Sequence, residues 1–319
     1  MTGHDSLERL VTPPAAPVDA HGDWTAAETV LSTQLPDDYK WLVERYGWGE
    51  FCDFLYLRTP FGTSEYNGIT WQSGDLSGVP ERDRGRFPYP LHPALGGLLI
   101  CGTTVNADRL CRLTAGAPRS WPVVVWSSEG WYETHPMGAA EFIKGWADGR
   151  VSSALLGDME PDLAPWFNTF RPRTHRCLQL SEGPLAHPER LLILREALAP
   201  TTDRGAWRSE NGEMGQSCFA TVSTDWMLTY DVSRPHQIRI EFPPEDREQV
   251  RRRLFAAVQL MGCEVLRITT ADGIGLPIWD TATDEEEQAL ISSSIVSMKP
   301  VDRSARSHRG DAALSGGSG

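Results

Sequence analysis

The sequence predicts an α+β fold, with helices packed beside sheets, divided into two domains. A chain of 319 residues is longer than most single hydrophobic cores support. The range 35–57 is predicted to be a helix that leads directly into a strand, and the range 236–269 to be strand, helix and strand. The joins between these elements are short, which indicates that each half of the chain folds around a core of its own.

The first helix begins after Leu35. Pro36 suits the first helical position because its missing N–H needs no partner there, and Asp37 and Asp38 place negative charge at the positive end of the helix dipole. Four apolar side chains recur on one face at the spacing i, i+3, i+4 and i+7: Tyr39, Leu42, Val43 and Tyr46. Gly47 ends the helix, and residues 51–57 have the apolar and aromatic composition of a strand that enters a core.

A second block, residues 98–149, is predicted to form three strands and a closing helix. Asn106-Ala107-Asp108 is a polar turn between two strand-like runs, and residues 127–130 form a short hairpin loop. The closing helix carries three apolar side chains: Phe142, Ile143 and Trp146. Five of the 12 Trp residues lie beside strand or turn residues and are expected in the core: Trp41, Trp121, Trp126, Trp131 and Trp146.

Both blocks, in this order and at about this spacing, resemble the SUKH superfamily, which includes Smi/Knr-type cell-wall regulators and many bacterial immunity proteins. The resemblance covers roughly residues 27–149 and rests on core and turn positions in five runs: 35–39, 46–51, 103–113, 121–126 and 141–142. It implies a mixed or antiparallel sheet flanked by helices, in a protein that binds other proteins. It brings no shared catalytic residues to this sequence.

The second half has its own pattern of elements. A helix over residues 189–198 precedes a hairpin of residues 218–222 and 226–230, and the strand 236–242 alternates apolar with polar residues. The next helix carries one apolar stripe: Val250, Leu254, Val258 and Met261. Gly262 ends that helix, and residues 263–269 form a strand.

These patterns divide the chain into five segments. We expect a flexible N-terminal segment over 1–26, a SUKH-like domain over 27–150, and a Pro- and Gly-rich linker or covering segment over 151–188. A second, smaller α+β domain is expected over 189–300, and a disordered tail over 301–319, where the residues are small and polar.

Composition and charge disfavour several functions. The net charge of −13 disfavours nucleic acid as a ligand, because phosphate binding depends on Lys and Arg, and it suits a basic protein partner. No signal peptide or membrane span is evident, so the cytoplasm is the expected compartment. The six cysteines are scattered without a CxxC pair, which predicts reduced thiols and no metal site.

No catalytic motif accompanies these features. The sequence has no GxSxG, HExxH or P-loop, and no GxGxxG that follows a strand, so we expect neither catalytic residues nor a cofactor. A hydrolase with an unrecognised site stays open as an alternative.

The resemblance therefore leads to a functional prediction. We expect an immunity protein that binds and neutralises a cognate toxin, or another basic protein, with acidic contacts at Asp37, Asp38, Glu50 and Asp53. The alternative for the two aspartates of the helix is that they only stabilise the helix start. The alternative function is a regulatory scaffold without a toxin partner, and the sequence leaves the oligomeric state open.

Overall fold

The structure is a computed structural model that describes residues 3–62, 89–127, 129–157, 159, 162–210, 214–233, 236–276 and 279. Six α-helices lie within these ranges: α1 (Gly3–Leu10), α2 (Trp24–Leu31), α3 (Asp37–Tyr46), α4 (Ala139–Ala147), α5 (His187–Leu198) and α6 (Arg247–Leu260). None of the described helices is long and apolar enough to cross a membrane. The predicted α+β class is confirmed, with antiparallel sheets in both halves.

The first sheet has seven antiparallel strands in the order β6-β5-β4-β3-β2-β1-β7. Their bounds are β1 Gly49–Phe51, β2 Leu55–Leu57, β3 Leu98–Thr104, β4 Arg109–Leu113, β5 Val123–Trp126, β6 Tyr132–His135 and β7 Phe167–Thr169. One core joins the apolar faces of α1 to α4 with the inward side chains of β1 to β5.

Helix α3 forms as its pattern predicts, because its four apolar side chains are all buried in this core. The hydroxyl groups of Tyr39 and Tyr46 donate hydrogen bonds to the carbonyl oxygens of Arg58 and Val11, at 2.7 and 2.8 Å. Pro36 occupies the N-cap, one position earlier than predicted. Gly47 ends the helix at a φ of 69°, where a side chain would collide with the backbone that packs beside it.

The second sheet also has seven strands, in the order β14-β13-β8-β12-β11-β10-β9. Their bounds are β8 Thr174–Leu180, β9 Thr201–Arg208, β10 Gly215–Thr221, β11 Met227–Asp231, β12 Gln237–Phe242, β13 Val265–Thr269 and β14 Gly275–Leu276. Side chains of α5, α6 and this sheet form the second core, which includes the predicted stripe of α6. The strand-helix-strand unit is present, but β8 lies between β12 and β13 and pairs antiparallel with both.

Three local predictions are wrong. Residues 51–57 do not form one strand, because β1 and β2 make a hairpin whose turn holds Cys52 and Asp53 at positive φ. The block 98–149 contains four strands, β3 to β6, instead of three. Residues 3–26 are not a flexible segment, since Leu7 and Val11 of this region are fully buried in the first core.

The range 151–188 does more than connect the two halves. It supplies β7, which pairs with β1, and β8, which lies inside the second sheet. Strands β9 and β14 had no counterpart in the sequence prediction. The division into domains stays a prediction, and the predicted tail over 301–319 lies outside the described residues.

Candidate functional site

The four acidic residues predicted to contact a partner lie in two separate environments. Asp37 and Asp38 open α3 near the start of α4, whereas Glu50 lies on β1 and Asp53 in the turn that follows it. No contact joins the two pairs within the described residues. The structure therefore does not assemble them into one acidic cluster.

Asp38 has a structural role. Its Oδ2 atom accepts hydrogen bonds from the backbone N–H groups of Ala139, at 2.5 Å, and Ala140, at 3.4 Å. The N-cap residue of α4, Gly138, has no side chain, so Asp38 supplies the capping carboxylate from another helix. The same oxygen pairs with Arg112 Nη1 at 2.8 Å, and the Arg112 side chain is only 1% exposed. Asp38 thus caps α4 and neutralises a buried cation.

Asp37 is exposed and lines an open groove of about 520 Å³. The groove lies among α1, α3, α4 and a 3-10 helix, and its lining residues are Ser6, Asp37, Asp38, Arg119, Gly138, Ala140, Glu141, Lys144 and Arg150. Lys144 and Arg150 both pair with Asp148, at 2.6 and 2.8 Å. Within the described residues the Asp37 side chain has no hydrogen bond or ion pair. Asp37 and the exposed Glu141 therefore present carboxylates to solvent at this groove.

Glu50 and Asp53 hold the β7 region against β1. Asp53 Oδ1 accepts hydrogen bonds from Trp166 Nε1, at 3.0 Å, and from Asn168 Nδ2. Glu50 Oε1 accepts a longer one from Asn168 Nδ2, at 3.4 Å. Burial, followed by the negative charge of Asp53, raises the pKa of Glu50 to about 7. These carboxylates are therefore engaged within the protein itself.

The same pair faces the second sheet. Arg204 of β9 lies over the ring of Trp166, with 4.5 Å from guanidinium carbon to ring centroid. Burial lowers the pKa of Arg204 to about 10, although the charge of Asp53 opposes this shift. Glu50 also lies within the electrostatic influence of Arg173, which precedes β8. Glu50 and Asp53 consequently lie where the two sheets meet.

All six cysteines are free. Burial raises the pKa of the Cys52 thiol to about 11 and that of Cys101 to about 12, so both are protonated at neutral pH and unreactive as nucleophiles. Cys177 and Cys218 are only half-buried, unlike the other four. No group of three or more metal-ligating side chains occurs among the described residues.

Sequence reasoning missed the side chains that engage the acidic residues. Each of these side chains is far from its partner along the chain: Arg112, Trp166, Asn168 and Arg204. No spacing rule links residues so far apart. Partner binding by the four acidic residues stays a prediction. Among the described residues, Asp37 is the one of the four that is exposed and has no side-chain contact within the protein.

Residues 21–143 match the model of the family SUKH_6, described as SMI1-KNR4 cell-wall. The matched range contains α2, α3 and β1 to β6, and it ends inside α4. The N-terminal half therefore carries a SUKH domain, as its core and turn residues predicted. No curated protein and no solved structure matches the chain.

Proposed function

We propose that this protein is an immunity protein that neutralises a cognate bacterial toxin by binding it directly. The observation that carries the proposal is the SUKH domain in the N-terminal half, because the SUKH family includes immunity proteins. Neutralisation by occlusion of the toxin's active surface requires only a stable, complementary surface on the inhibitor.

Charge supports a basic partner. The chain has 43 Asp and Glu against 30 Lys and Arg. Such an excess produces a negative field that accelerates encounter with a basic protein. Asp37 and Glu141 are exposed at the groove between α3 and α4, so they are the contact residues we favour.

The test begins with the genes that neighbour this one, and a toxin encoded there is purified as the candidate partner. The protein should bind the purified toxin and restore growth of cells that express it. Asp37→Lys combined with Glu141→Lys should slow association roughly tenfold at low salt and weaken its salt dependence, because rim charges act mainly on the association rate. Asp272→Lys is the matched control, since Asp272 is an exposed acidic residue in the other half.

Two results would count against this proposal in different ways. Failure of the wild-type protein to bind or protect rejects toxin neutralisation. Wild-type association rates in the double variant reject the groove and leave neutralisation intact. Glu50 and Asp53 are unsuitable probes, because their substitution also removes contacts with Asn168 and Trp166.

A regulatory scaffold is the second candidate, favoured by the cell-wall description of the matched family. Deletion of the gene in cells that lack the toxin separates the two functions. A cell-wall defect in those cells supports regulation, whereas unchanged growth supports immunity.

A further inference from the structure

The two sheets are connected by a short stretch of chain, residues 166–173, which we call the connecting segment. It contains β7, the edge strand that pairs with β1, and only four residues lie between the end of β7 and the start of β8. The Cys52 N–H donates a hydrogen bond to the Trp166 carbonyl at 3.0 Å. Beyond the other end of β7, the Phe170 N–H donates to the Trp48 carbonyl at 3.1 Å. The first part of the segment is therefore fixed to the edge of the first sheet.

The second half of the chain holds the other end of the connecting segment. Arg171 Nε and Arg173 Nη2 pair with the two carboxylate oxygens of Asp225, at 3.0 and 2.7 Å. Asp225 lies in the connection between β10 and β11. Arg204 of β9 lies over the indole ring at the start of the segment, and its charge also interacts with that of Asp53. The connecting segment thus has contacts with both sheets.

Two carboxylates of the first sheet hold this segment at one point. Asn168 of β7 lies directly opposite Glu50 of β1. The Asn168 Nδ2 atom donates to Glu50 Oε1 at 3.4 Å and also to Asp53 Oδ1, which accepts a further hydrogen bond from Trp166 Nε1 at 3.0 Å. Asn168 is 5% exposed and Trp166 is 7% exposed. One buried amide group therefore brings the two carboxylates together.

The surroundings of Glu50 favour its neutral form. Groups from five parts of the fold face it: Asp53 in the turn after β1, Tyr56 on β2, Asn168 on β7, Arg173 before β8 and Glu241 on β12. Arg173 is the only cation among these groups, and it already pairs with Asp225. Glu241 adds negative charge, although it pairs with His175 at 3.5 Å. Burial, followed by the charge of Asp53, raises the pKa of Glu50 to about 7.

We propose that the proton of Glu50 controls how tightly the connecting segment is held against β1. With the proton bound, Asp53 is the one negative charge that accepts hydrogen bonds from the segment. Loss of the proton to water places a second negative charge beside the same amide of Asn168, and the segment opens more readily. In the open form, water solvates Glu50, and Trp166 loses its contacts with Asp53 and Arg204. This pH-sensitive contact between the sheets does not depend on a toxin.

The direction of the pH effect follows from the pKa of Glu50 in the two forms. The closed form keeps the proton up to about pH 7, whereas a solvated glutamate releases it near its ordinary pKa of 4.5. The closed form is therefore favoured most below pH 4.5, and the open fraction rises between pH 4.5 and about pH 7. One proton changes this equilibrium by at most about tenfold per pH unit. Because Glu50 is only half-buried, we expect a rise of about tenfold in total between pH 5 and pH 7.

Hydrogen exchange of the full-length protein, followed by NMR between pH 5 and pH 8, tests the proposal. Each rate is divided by the rate of the same amide in an unfolded peptide, so that the remaining pH dependence reports opening. The amides of Cys52 and Phe170 report the connecting segment. The amide of Val123, which donates to the Met137 carbonyl in another part of the same sheet, reports unfolding of the whole sheet.

The amides of the connecting segment should exchange faster than Val123 at every pH, because a local opening costs less than global unfolding. Their corrected rates should rise about tenfold between pH 5 and pH 7. The indole N–H of Trp166 should follow the same course, since it donates to Asp53. The indole of Trp131 is the unprotected reference, because this side chain, which the sequence placed in the core, is 68% exposed.

Glu50→Gln preserves the size of the side chain and its acceptor oxygen but removes the titration, so the corrected rates should no longer rise with pH. Glu129→Gln is the matched control, because Glu129 is exposed in the turn between β5 and β6. It should keep the tenfold rise. Asp53→Asn also preserves an acceptor oxygen, and loss of the like charge should move the rise to lower pH.

Equal corrected rates for Cys52, Phe170 and Val123 at every pH would overturn the proposal, because the segment would then open only with the whole sheet. The same rise in Glu50→Gln as in wild type would also overturn it, since another group would be titrating. A Glu50→Gln variant that loses the wild-type spectrum is replaced by Asp53→Asn and by NMR titration of the Glu50 carboxyl carbon in the wild type. An unmoved rise in Asp53→Asn, or a Glu50 carboxyl that titrates below pH 5, would contradict the proposal.

Discussion

Replacement of Asp38 by Ala should destabilise the protein far more than the same change at Asp37, its neighbour in the chain. The substitution removes the cap of α4, which typically stabilises by about 1 kcal/mol. It also leaves Arg112, whose side chain is 1% exposed, without its carboxylate partner. Removing one partner of a buried ion pair typically costs about 3 to 5 kcal/mol. Arg112 keeps its hydrogen bond to the Trp121 carbonyl, at 2.5 Å, and the Asp38 side chain is 20% exposed. These contacts reduce the expected total to roughly 2 to 4 kcal/mol.

Urea denaturation with far-ultraviolet circular dichroism measures this free energy of unfolding. The midpoint should fall while the slope stays constant, because the folded state remains compact. Asp37→Ala is the control, and it should cost less than about 1 kcal/mol, since it removes only a charge near the helix dipole. Asp38→Asn separates the two roles, because Asn can still cap a helix but cannot neutralise Arg112. Equal midpoints for Asp38→Ala and Asp37→Ala would refute the structural role of Asp38.

Three further predictions follow from burial and pKa. Leu42→Ala and Trp126→Ala should each cost roughly 2 to 5 kcal/mol in urea denaturation, because these side chains are 0% and 4% exposed. Glu50→Gln should stabilise the protein relative to wild type more at pH 8 than at pH 4.5. The pKa of Glu50 is raised from 4.5 to about 7, so the folded state holds its proton more tightly and wild-type stability falls as pH rises through this window. His187→Gln should reduce the loss of folding stability between pH 6.5 and pH 4. Burial, followed by the charge of Arg208, lowers the pKa of His187 from 6.5 to about 4, so wild-type stability falls as pH drops through this range.

Each of these has a clear contrary result. Wild-type midpoints in both core variants would mean that the faces of α3 and β5 are misassigned. Parallel stability curves for wild type and Glu50→Gln between pH 4.5 and 8 would show that Glu50 titrates normally. A His187→Gln variant that loses stability below pH 6.5 as steeply as wild type would place the acid sensitivity elsewhere.

Much of the fold was predictable because local periodicity carries the information. The stripe of α3 and that of α6 each repeat at helical spacing, and both are buried as predicted. The strand β12 alternates apolar and polar residues, and its apolar side chains are buried. The spacing of apolar residues within one segment shows which face of its helix or strand packs against a core. This face can therefore be predicted from that segment alone.

The order of strands was not predictable in the same way. β8 lies in a Pro-rich stretch and inserts between β12 and β13, which the sequence presents as one continuous unit. β7 joins the first sheet from a region that resembled a linker. Pairing depends on backbone hydrogen bonds between distant segments. Every residue except proline carries the same backbone donor and acceptor, so the side chains say little about which strands pair.

The sequence by itself determined the α+β class, the helix faces and the SUKH resemblance of the N-terminal half. Only the tertiary structure decided which acidic residues serve the protein itself, because that depends on the distant groups they meet. Asp38 meets Arg112 and the start of α4, whereas Asp37, one residue earlier, faces solvent. Adjacent carboxylates of identical chemistry acquire different roles, because successive residues of a helix point about 100° apart and only one of these two points at a buried cation.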